Sequence, residues 1–516
     1  MPSQITKLNL NGINTDISVY ELPETTWTNG NNIVFDNDLT KKATGTADVF
    51  GSTSIAPYWL LPFQSASLWL YAGAAAIYKL SGSTHTAITR ASGGYTATQG
   101  DWNGGVLGGV AVLNNGTDAP QQFGSAAAAC TDLSNWTADS RAKVIRPFKE
   151  FLVALNVTEN FGTASVAEYP YRVMWSNPAD AGSVPTSWDY SDATKDTGYV
   201  DLSETDGVII DCLPLKDYNF IYKEDSVYNM SHVGGAFIFS FSQVFSESGI
   251  LSRDCVQSFD DKHFVVGVND IYIHNGQTKQ SVADRVIKDE IFSAINSTHY
   301  KNTFVTANHK DSEMWVCIPS QASSGECDLA YVWNYSTNMW SKRDLPSASF
   351  IAPGIVNDSS SYTQDWDSDT NSWDSDDTDW NFTGFNPTQT ALLIASTNSK
   401  LRKVDTFQNS GSDYLSWVEK TGMSLGTTLN KSIQKIVPHI EGNGSVDFYV
   451  GTESVPNAGV SWKGPYSITP GTHSDLPVRA NGKYVSVKLQ SQDSNHWSLT
   501  NLELHWKPSG NRGTGV

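Results

Sequence analysis

The segment Asp365–Trp380 has the clearest arrangement of chemically active side chains in this sequence. It holds seven aspartates, and Asp365, Asp367 and Asp369 alternate in the way that the first ligands of a calcium-binding loop do. Such a loop also needs glycine at its sixth position and glutamate at its twelfth, where this chain has threonine and aspartate. The segment is therefore a weak calcium candidate, and a solvated, turn-rich connector is the simpler interpretation.

Three tryptophans of the same segment, Trp366, Trp373 and Trp380, stand seven residues apart. Regularly spaced indoles either stack on sugars or bury their large apolar surface against protein. We expect them to pack in series on the fold itself or on a neighbouring subunit, which makes them interface candidates.

Catalytic motifs are missing from the sequence. It contains no GxSxG, HExxH, Walker A or GxGxxG pattern, its ten histidines are scattered, and the sialidase Asp-box is absent. Glycosidases need paired carboxylates, but 54 acidic residues supply such pairs by chance. We therefore expect a protein that is not an enzyme, with no catalytic residues and no cofactor.

The overall charge is strongly negative, because 54 acidic residues outnumber 34 basic ones and give a net charge of −20. This disfavours a protein that holds nucleic acid or anionic lipid, since both need a basic patch. The five cysteines are odd in number and form no CxxC pair. Reduced, buried thiols and folding in a cytoplasm are the expectation.

Membrane and export signals are not expected either. The first eleven residues contain no apolar stretch of the kind found in a signal peptide. The uncharged stretch Gly51–Tyr78 is broken by Pro57, Pro62 and Gln64, so it predicts buried strands and a turn rather than a membrane span.

Most of the chain has the pattern of short antiparallel strands. Aromatic and β-branched runs such as His263–Val268 and Ile271–His274 are separated by tight-turn signals such as Asn275-Gly276. The pattern returns loosely every 40–60 residues, which is typical of a β-propeller. We predict an all-β fold with a propeller of about six blades over residues 31–400, closed by pairing of Asn32–Phe35 with Ala391–Ala395.

Two other regions have their own character. Residues 281–295 have apolar side chains near helical spacing, so they predict a helix inserted between blades. It either packs on the propeller or supplies Val286 and Ile291 to a subunit interface. Residues 405–510 contain further antiparallel strands and predict a C-terminal β-sandwich, whereas residues 1–30 are assigned to an N-terminal docking segment.

Four stretches resemble the tail nozzle (tail tube) proteins of short-tailed bacteriophages, the podoviruses. The first is NGINTDISVYELPETTWTNGNNIVFDNDLTKKATG at 11–45, and the others are YRVMWSNPADAGSVPTSWD at 171–189, WDSDTNSWDSDDTDW at 366–380 and KYVSVKLQSQDSNHWSLTNLELHWKPSG at 483–510. Each match is degenerate, but their order and spacing agree along most of the chain, with residues 85–140 matching poorly.

The resemblance implies a structural virion protein. It implies a propeller subunit that forms a homo-oligomeric ring, with a hexamer expected, below the head-to-tail connector. Its partners would be tail adaptor or connector proteins and tail fibres or spikes, and genomic DNA would pass through without specific binding. The location would be the virion tail, after assembly in the bacterial host cytoplasm.

The charge adds an expectation about the ring, namely an acidic lumen. Basic walls would hold the phosphates of passing DNA through counterion release, whereas acidic walls let the duplex slide. Asp260, Asp261 and Asp270 at turns between strands, together with the Asp365–Asp379 cluster, are the candidates. The alternative is that the charge only keeps the unassembled subunit soluble.

A second functional class also fits an all-β, tryptophan-rich, acidic chain. A carbohydrate-binding or adhesion β-propeller has the same composition, but it is usually secreted. Specific binding of the isolated chain to a glycan array distinguishes this alternative from the tail nozzle.

Overall fold

The computed structural model of the chain describes residues 4–8, 10–235, 237–356, 390–472 and 475–509. Nearly all of its regular structure is antiparallel strand, as expected from the alternation of apolar and polar residues. The strands before the propeller are β1 (Gln4–Leu8), β2 (Asn29–Asn31), β3 (Ile33–Asp36) and β4 (Leu39–Lys42), and β5 (Gly45–Ser52) follows them.

The first five blades of the propeller are separate four-stranded sheets whose strands pair in chain order. Blade 1 consists of β6 (Trp59–Phe63), β7 (Leu68–Ala72), β8 (Ile77–Ser81) and β9 (Thr84–Ala87). Blade 2 consists of β10 (Asn103–Leu107), β11 (Val110–Asn114), β12 (Gln121–Gly124) and β13 (Thr131–Asp132). Blade 3 consists of β14 (Arg141–Phe148), β15 (Phe151–Glu159), β16 (Ala167–Trp175) and β17 (Gly198–Asp201). Blade 4 consists of β18 (Ile209–Leu215), β19 (Tyr218–Lys223), β20 (Ser226–His232) and β21 (Phe239–Ser246), and blade 5 of β22 (Val256–Phe259), β23 (Lys262–Val266), β24 (Ile271–His274) and β25 (Lys279–Ser281).

The last two blades share one long strand. Blade 6 contains β26 (Phe304–Asn308), β27 (Glu313–Ile318), β28 (Cys327–Asn334) and the first half of β29 (Met339–Ile355). The second half of β29 turns inward and becomes the inner strand of blade 7, which it forms with β30 (Thr390–Ser396), β31 (Lys400–Thr406) and β5.

The blades close into a ring of seven. Their inner strands contact one another in the order β6, β10, β14, β18, β22, β26, β29 and back to β6. This confirms the predicted β-propeller and corrects the expected count of about six. The sequence repeats missed a blade because blade 7 is assembled from β29, β30, β31 and a strand from the other end of the chain.

Ring closure also uses different residues from those predicted. The outer strand of blade 7 is β5, which pairs with β31 from Gly45↔Thr406 to Ser52↔Lys400. Gly45 fits because a Cβ there would lie 2.2 Å from the carbonyl oxygen of Gln408. The predicted closing strand near Asn32–Phe35 instead overlaps β3, which pairs with β4 outside the propeller.

Hydrophobic clusters fill the spaces between neighbouring blades, so the core is a ring rather than a single centre. Trp59 and Trp102 pack between blades 1 and 2, and Ile145 and Trp188 lie in the cluster between blades 2 and 3. The same arrangement continues around the ring, because each blade is apolar on both faces.

The C-terminal strands form the predicted β-sandwich together with the N-terminal strands. They are β32 (Ser416–Met423), β33 (Asn430–Gly442), β34 (Val446–Glu453), β35 (Ser461–Ile468), β36 (Leu476–Gly482), β37 (Tyr484–Ser491) and β38 (Trp497–Ser509). One sheet has the order β3-β4-β38-β33-β36 with β1 also on β38, and the other has the order β2-β32-β37-β34-β35. Residues 1–30, assigned to a separate docking segment, thus supply strands β1 and β2 to this sandwich.

The sandwich rests on the flank of blade 6. The backbone N–H of Ile13 donates to the carbonyl of Trp340 at 3.1 Å, and that of Asn32 donates to the carbonyl of Lys342 at 2.8 Å. Both acceptors lie in the outer part of β29, so the sandwich covers the edge that blade 6 would otherwise expose.

The predicted helix is shorter than residues 281–295. Strand β25 extends to Ser281, and α1 covers only Lys288–Ala294. Arg285 has a φ of 58°, which interrupts the helical path before α1 begins. No helix among the described residues is long and apolar enough to cross a membrane.

Candidate functional site

A small cavity lies near the axis of the propeller, where the chain enters the inner strands. Residues just before the inner strands, among them Trp102, Arg253 and Thr303, surround an axial cavity of about 20 Å³. That volume has room for about one water molecule.

A buried ion cluster ties three blades together beside this cavity. Arg146 on β14 donates to both carboxylate oxygens of Asp211 on β18, at 2.9 and 2.8 Å. It also donates to Asp254, which precedes β22, at 2.6 Å. The paired, bidentate geometry satisfies charges that would be costly to bury alone.

The pKa shifts in this cluster follow from burial opposed by charge pairing. Burial alone would lower the pKa of Arg146, but Asp211 and Asp254 together raise it above its ordinary value. Burial alone would raise the pKa of Asp211, but the guanidinium and two backbone N–H donors lower it. Arg146 and Asp211 therefore stay ionised, and the cluster acts as a structural tie across blades 3, 4 and 5.

Two polar atoms at the cavity make no hydrogen bond within the described residues, although Nε of Arg253 lies 3.8 Å from Oδ2 of Asp254. Nε of Arg253 and Oγ1 of Thr303 are buried without a hydrogen bond to the described residues, although Arg253 also donates from Nη1 to the carbonyl of Lys143. The cavity beside them suits a single bridging water. We assign no ligand larger than that to the axis.

A second buried network joins blades 4 and 5. The hydroxyl of Tyr222 lies 2.6 Å from Nδ1 of His263 and 2.7 Å from Nε2 of His274. Nε2 of His263 faces the carbonyl of Pro214, and Nδ1 of His274 accepts the N–H of Gly276. These end partners fix the direction of the chain: His274 donates to Tyr222, and Tyr222 donates to His263.

Both imidazoles are neutral near pH 7. Burial lowers the pKa of His263 to about 4. Burial, with a smaller contribution from the neighbouring imidazole, lowers the pKa of His274 to about 3. Burial also raises the pKa of Tyr222 well above its ordinary value. The network is a neutral relay of hydrogen bonds with no open position for a substrate.

The predicted interface residues of the helical region pack against the core of their own chain. Ile291 is fully buried in the core shared by the sandwich and blades 4 to 6, so it is inaccessible to a second subunit. Val286 is partly buried against the same core, and its carbonyl accepts the N–H of Thr15. Ile291 is therefore unavailable to a second subunit, whereas Val286, which is partly exposed, stays a predicted interface residue.

The other predicted site residues are outside the described residues. These are the calcium candidates Asp365, Asp367 and Asp369 and the interface candidates Trp366, Trp373 and Trp380. The segment that contains them leaves blade 7 after Val356 and returns at Thr390, between two paired strands. Among the described ranges there is no cluster of three or more side chains suited to a metal ion.

The turn aspartates do not form one acidic surface. Asp260 and Asp261 occupy the turn between β22 and β23, whereas Asp270 lies between β23 and β24. Successive hairpins of an antiparallel blade lie at opposite faces of the propeller. A single lumen facing one of these faces would therefore contain either the Asp260 pair or Asp270.

Sequence reasoning missed both buried networks. Arg146, Asp211 and Asp254 come from three different blades, and nothing local marks them as partners. The two histidines had a detectable signal, since His263 and His274 end strands of the same predicted hairpin and face each other across it.

Comparisons with known proteins add no functional identity. No family model and no curated protein matches the chain. Among solved structures, BamB from Moraxella catarrhalis is 8% identical, with 78% of this chain and 97% of that chain covered and a TM-score of 0.37. A chain of the mitotic checkpoint complex is 9% identical, with 70% and 95% covered and a TM-score of 0.38.

The computationally designed Ika8 protein is similarly distant, at 7% identity, with 77% of this chain and 99% of that chain covered and a TM-score of 0.36. At such low identities and TM-scores, these similarities identify neither a family nor a function for this chain. The propeller fold described above rests on the strand pairing of the chain itself.

Proposed function

We propose that the chain is a structural subunit of the tail nozzle of a short-tailed bacteriophage. Identical subunits form a ring, most simply a hexamer, below the head-to-tail connector, and the genome leaves through the centre of the ring. Tail adaptor or connector proteins and tail fibres or spikes are its neighbours. The subunit folds in the host cytoplasm and functions in the virion tail.

The observation that carries the proposal is the order of the family-like stretches along the chain. In the fold, the first and the last of these stretches lie next to each other. Residues from the first stretch (11–45) include β4, and residues from the last (483–510) include β38; these two strands pair directly at Ser498↔Lys41 and Leu499↔Thr40. The two most distant matches thus belong to one folded unit.

The narrow ring of inner strands favours a conduit between subunits. Neighbouring inner strands of the seven blades contact one another around the axis, so the proposed path for duplex DNA lies outside the single propeller. A ring built by heterologous contacts leaves a central opening whose width depends on the number of subunits. We propose that this opening is lined mainly by acidic side chains, in keeping with the net charge of −20.

Electron microscopy tests the assembly. The purified chain, alone and mixed with connector complexes from the same virion, is imaged and its mass is measured. A closed ring with a central hole supports the proposal, and one copy per tail in the virion contradicts it. A monomeric chain that binds specific glycans on an array favours the carbohydrate-binding alternative.

Charge reversal tests the lumen. Asp260→Lys with Asp261→Lys changes one face of blade 5, and Asp270→Lys changes the opposite face. If the lumen faces the first side, rings of the double variant retain duplex DNA at low salt, and rings of Asp270→Lys do not. Retention that is equal in wild type and all variants contradicts an acidic lumen.

A further inference from the structure

The outer edge of blade 4 is unlike the other outer edges of the propeller. Four outer strands, β9, β13, β17 and β25, have only four, two, four and three residues. Strand β29 is covered by the sandwich, and β5 carries Asp48 paired with Arg402. Short, covered or charged edges are the usual ways in which proteins prevent unwanted strand pairing.

Within the described part of the chain, strand β21 is neither short, covered nor charged, and its one irregularity is a β-bulge between Gln243 and Phe245. It is eight residues long, with the sequence FSFSQVFS, and contains neither a charged residue nor proline. The side chains of Ser240, Ser242, Gln243 and Ser246 are exposed. Such an edge is a template for an additional strand.

The backbone groups that would pair with an added strand are identifiable. The N–H of Val233 donates to the carbonyl of Ile238, so the position directly beyond the last ladder pair, His232↔Phe239, is hydrogen-bonded. Hydrogen-bonded and non-bonded pairs alternate in an antiparallel ladder, so Phe239, Phe241 and Gln243 turn their N–H and C=O groups outward. Within the described residues, no loop or neighbouring blade supplies backbone partners to them.

An acidic pocket of about 310 Å³ lies at the C-terminal end of this edge. Gln243 and Ser246 of β21 form one wall. Four carboxylates line the rest: Glu204, Asp206, Asp225 and Glu247. The ammonium of Lys223 lies behind the pocket and donates to the carbonyl of Thr205. Because four carboxylates outnumber this one ammonium, the pocket keeps a net negative charge.

The pocket lies on the side of the sheet that a residue paired with Gln243 would face. Residues paired directly across an antiparallel ladder place their side chains on the same face of the sheet. A residue paired opposite Gln243 therefore extends over the pocket wall, within reach of the carboxylates for a long side chain. An aliphatic stem with a cationic end, as in arginine or lysine, fits this arrangement.

We propose that β21 is a docking edge that accepts an extended segment of a partner protein, with an arginine or lysine of that segment in the acidic pocket. Backbone pairing supplies the affinity, and the pocket sets the register and selects for a basic residue. The inference does not depend on the tail-nozzle proposal. It requires only a partner that presents an extended segment whose single charged residue is basic.

Synthetic peptides test the edge. The probe is an acetylated, amidated heptapeptide of alternating threonine and valine with a central arginine, and its control has a central glutamate. Amide exchange of Phe241 and Gln243 is expected to slow with the arginine peptide. Fluorescence anisotropy is expected to show about ten-fold weaker binding of the glutamate peptide, as an unfavourable charge contact of about 1.4 kcal/mol implies.

Three variants separate backbone pairing from charge. Gln243→Pro removes an outward N–H without breaking the ladder to β20, so binding is lost while the fold is retained. Gln243→Ala keeps the N–H and keeps binding. Asp206→Asn with Glu247→Gln removes two of the four carboxylates and weakens binding of the arginine peptide without weakening that of the glutamate peptide.

Three results overturn the proposal. One is the absence of amide protection with the arginine peptide at millimolar concentration. Another is equal binding of the arginine and glutamate peptides to the wild-type chain. The last is a wild-type chain that self-associates where Gln243→Pro is monomeric, because a second copy would then be the occupant of the edge.

Discussion

Lowering the pH from 8 to 5 is expected to destabilise the contact between blades 4 and 5 through His263 and His274. In the folded chain both imidazoles are neutral, because burial lowers their pKa values to about 4 and about 3. In the unfolded chain both return to the ordinary value near 6.5. Between these values the unfolded state binds more protons than the folded state, so folding stability falls as the pH falls.

The size of the effect follows from the same values. A pH of 5 lies about 1.5 units below the pKa of histidine in the unfolded chain, so each unfolded histidine has gained almost a full proton. This protonation stabilises the unfolded state by about 2 kcal/mol per histidine. The folded chain gains almost nothing at this pH. The two histidines together therefore remove about 4 kcal/mol of the free energy of unfolding, and more as the pH approaches 4 and 3.

Protonation also conflicts with the geometry. The Nδ1 atom of His274 already accepts the N–H of Gly276, and a proton there would place two donors against each other. The Nδ1 atom of His263 accepts the hydroxyl of Tyr222 in the same way. Among the described residues, neither imidazole has a carboxylate partner that would compensate for a positive charge.

The assay is urea unfolding followed by tryptophan fluorescence at pH 8, 6 and 5. His274→Gln keeps a polar group but removes one titrating site, so the loss between pH 8 and 5 shrinks by about 2 kcal/mol relative to wild type. His309→Gln, at an exposed turn, is the matched control and leaves the wild-type loss unchanged. An equal pH dependence in wild type and His274→Gln would refute the reasoning.

Three further predictions concern structure that the sequence did not reveal. Arg146→Ala leaves a buried carboxylate unpaired and is expected to cost about 3–5 kcal/mol of the free energy of unfolding. Lys41→Ala, at a partly exposed surface pair, is the control and is expected to cost less than about 1 kcal/mol. Equal losses in the two variants would contradict a structural tie across blades 3, 4 and 5. Gly104→Ala is expected to prevent stable folding, because φ is +145° and a Cβ would lie 2.0 Å from a carbonyl oxygen, while Gly124→Ala, with open space around it, is expected to fold normally in circular dichroism and thermal melts. The five cysteines are fully buried and burial raises the pKa of every thiol, so Ellman's reagent is expected to react only after denaturation; fast reaction of any thiol in the folded chain would contradict the packing between blades.

Local features of the chain were predictable because the residues that determine them are neighbours. The runs at His263–Val268 and Ile271–His274 became β23 and β24, which form the predicted hairpin. Side chains alternate between the two faces of a strand with a period of two residues, so the apolar residues of each run lie on the blade faces. Asparagine and glycine allow the tight turns between strands. The same reasoning placed the antiparallel strands of residues 405–510 in a sandwich and the repeated sheets in a propeller.

Tertiary structure alone decided the number of blades, the closing strand and the assignment of the N-terminus. Strand β5 pairs with β31 across more than 350 positions, and β1 pairs with β38 across almost the whole chain. A local pattern marks a segment as a strand but does not name its partner, because any apolar edge of similar length satisfies the same backbone groups. The count of seven followed only when all blades were packed around one axis.

The buried polar networks were decided in the same way. Arg146, Asp211 and Asp254 each occupy an ordinary position near an inner strand, and only the closed ring brings them within hydrogen-bonding distance. Their ionisation is set by burial and by partners from other blades, and neither quantity is a property of the local sequence. The sequence determined which segments become strands, and the packing of those strands around the axis determined which side chains meet.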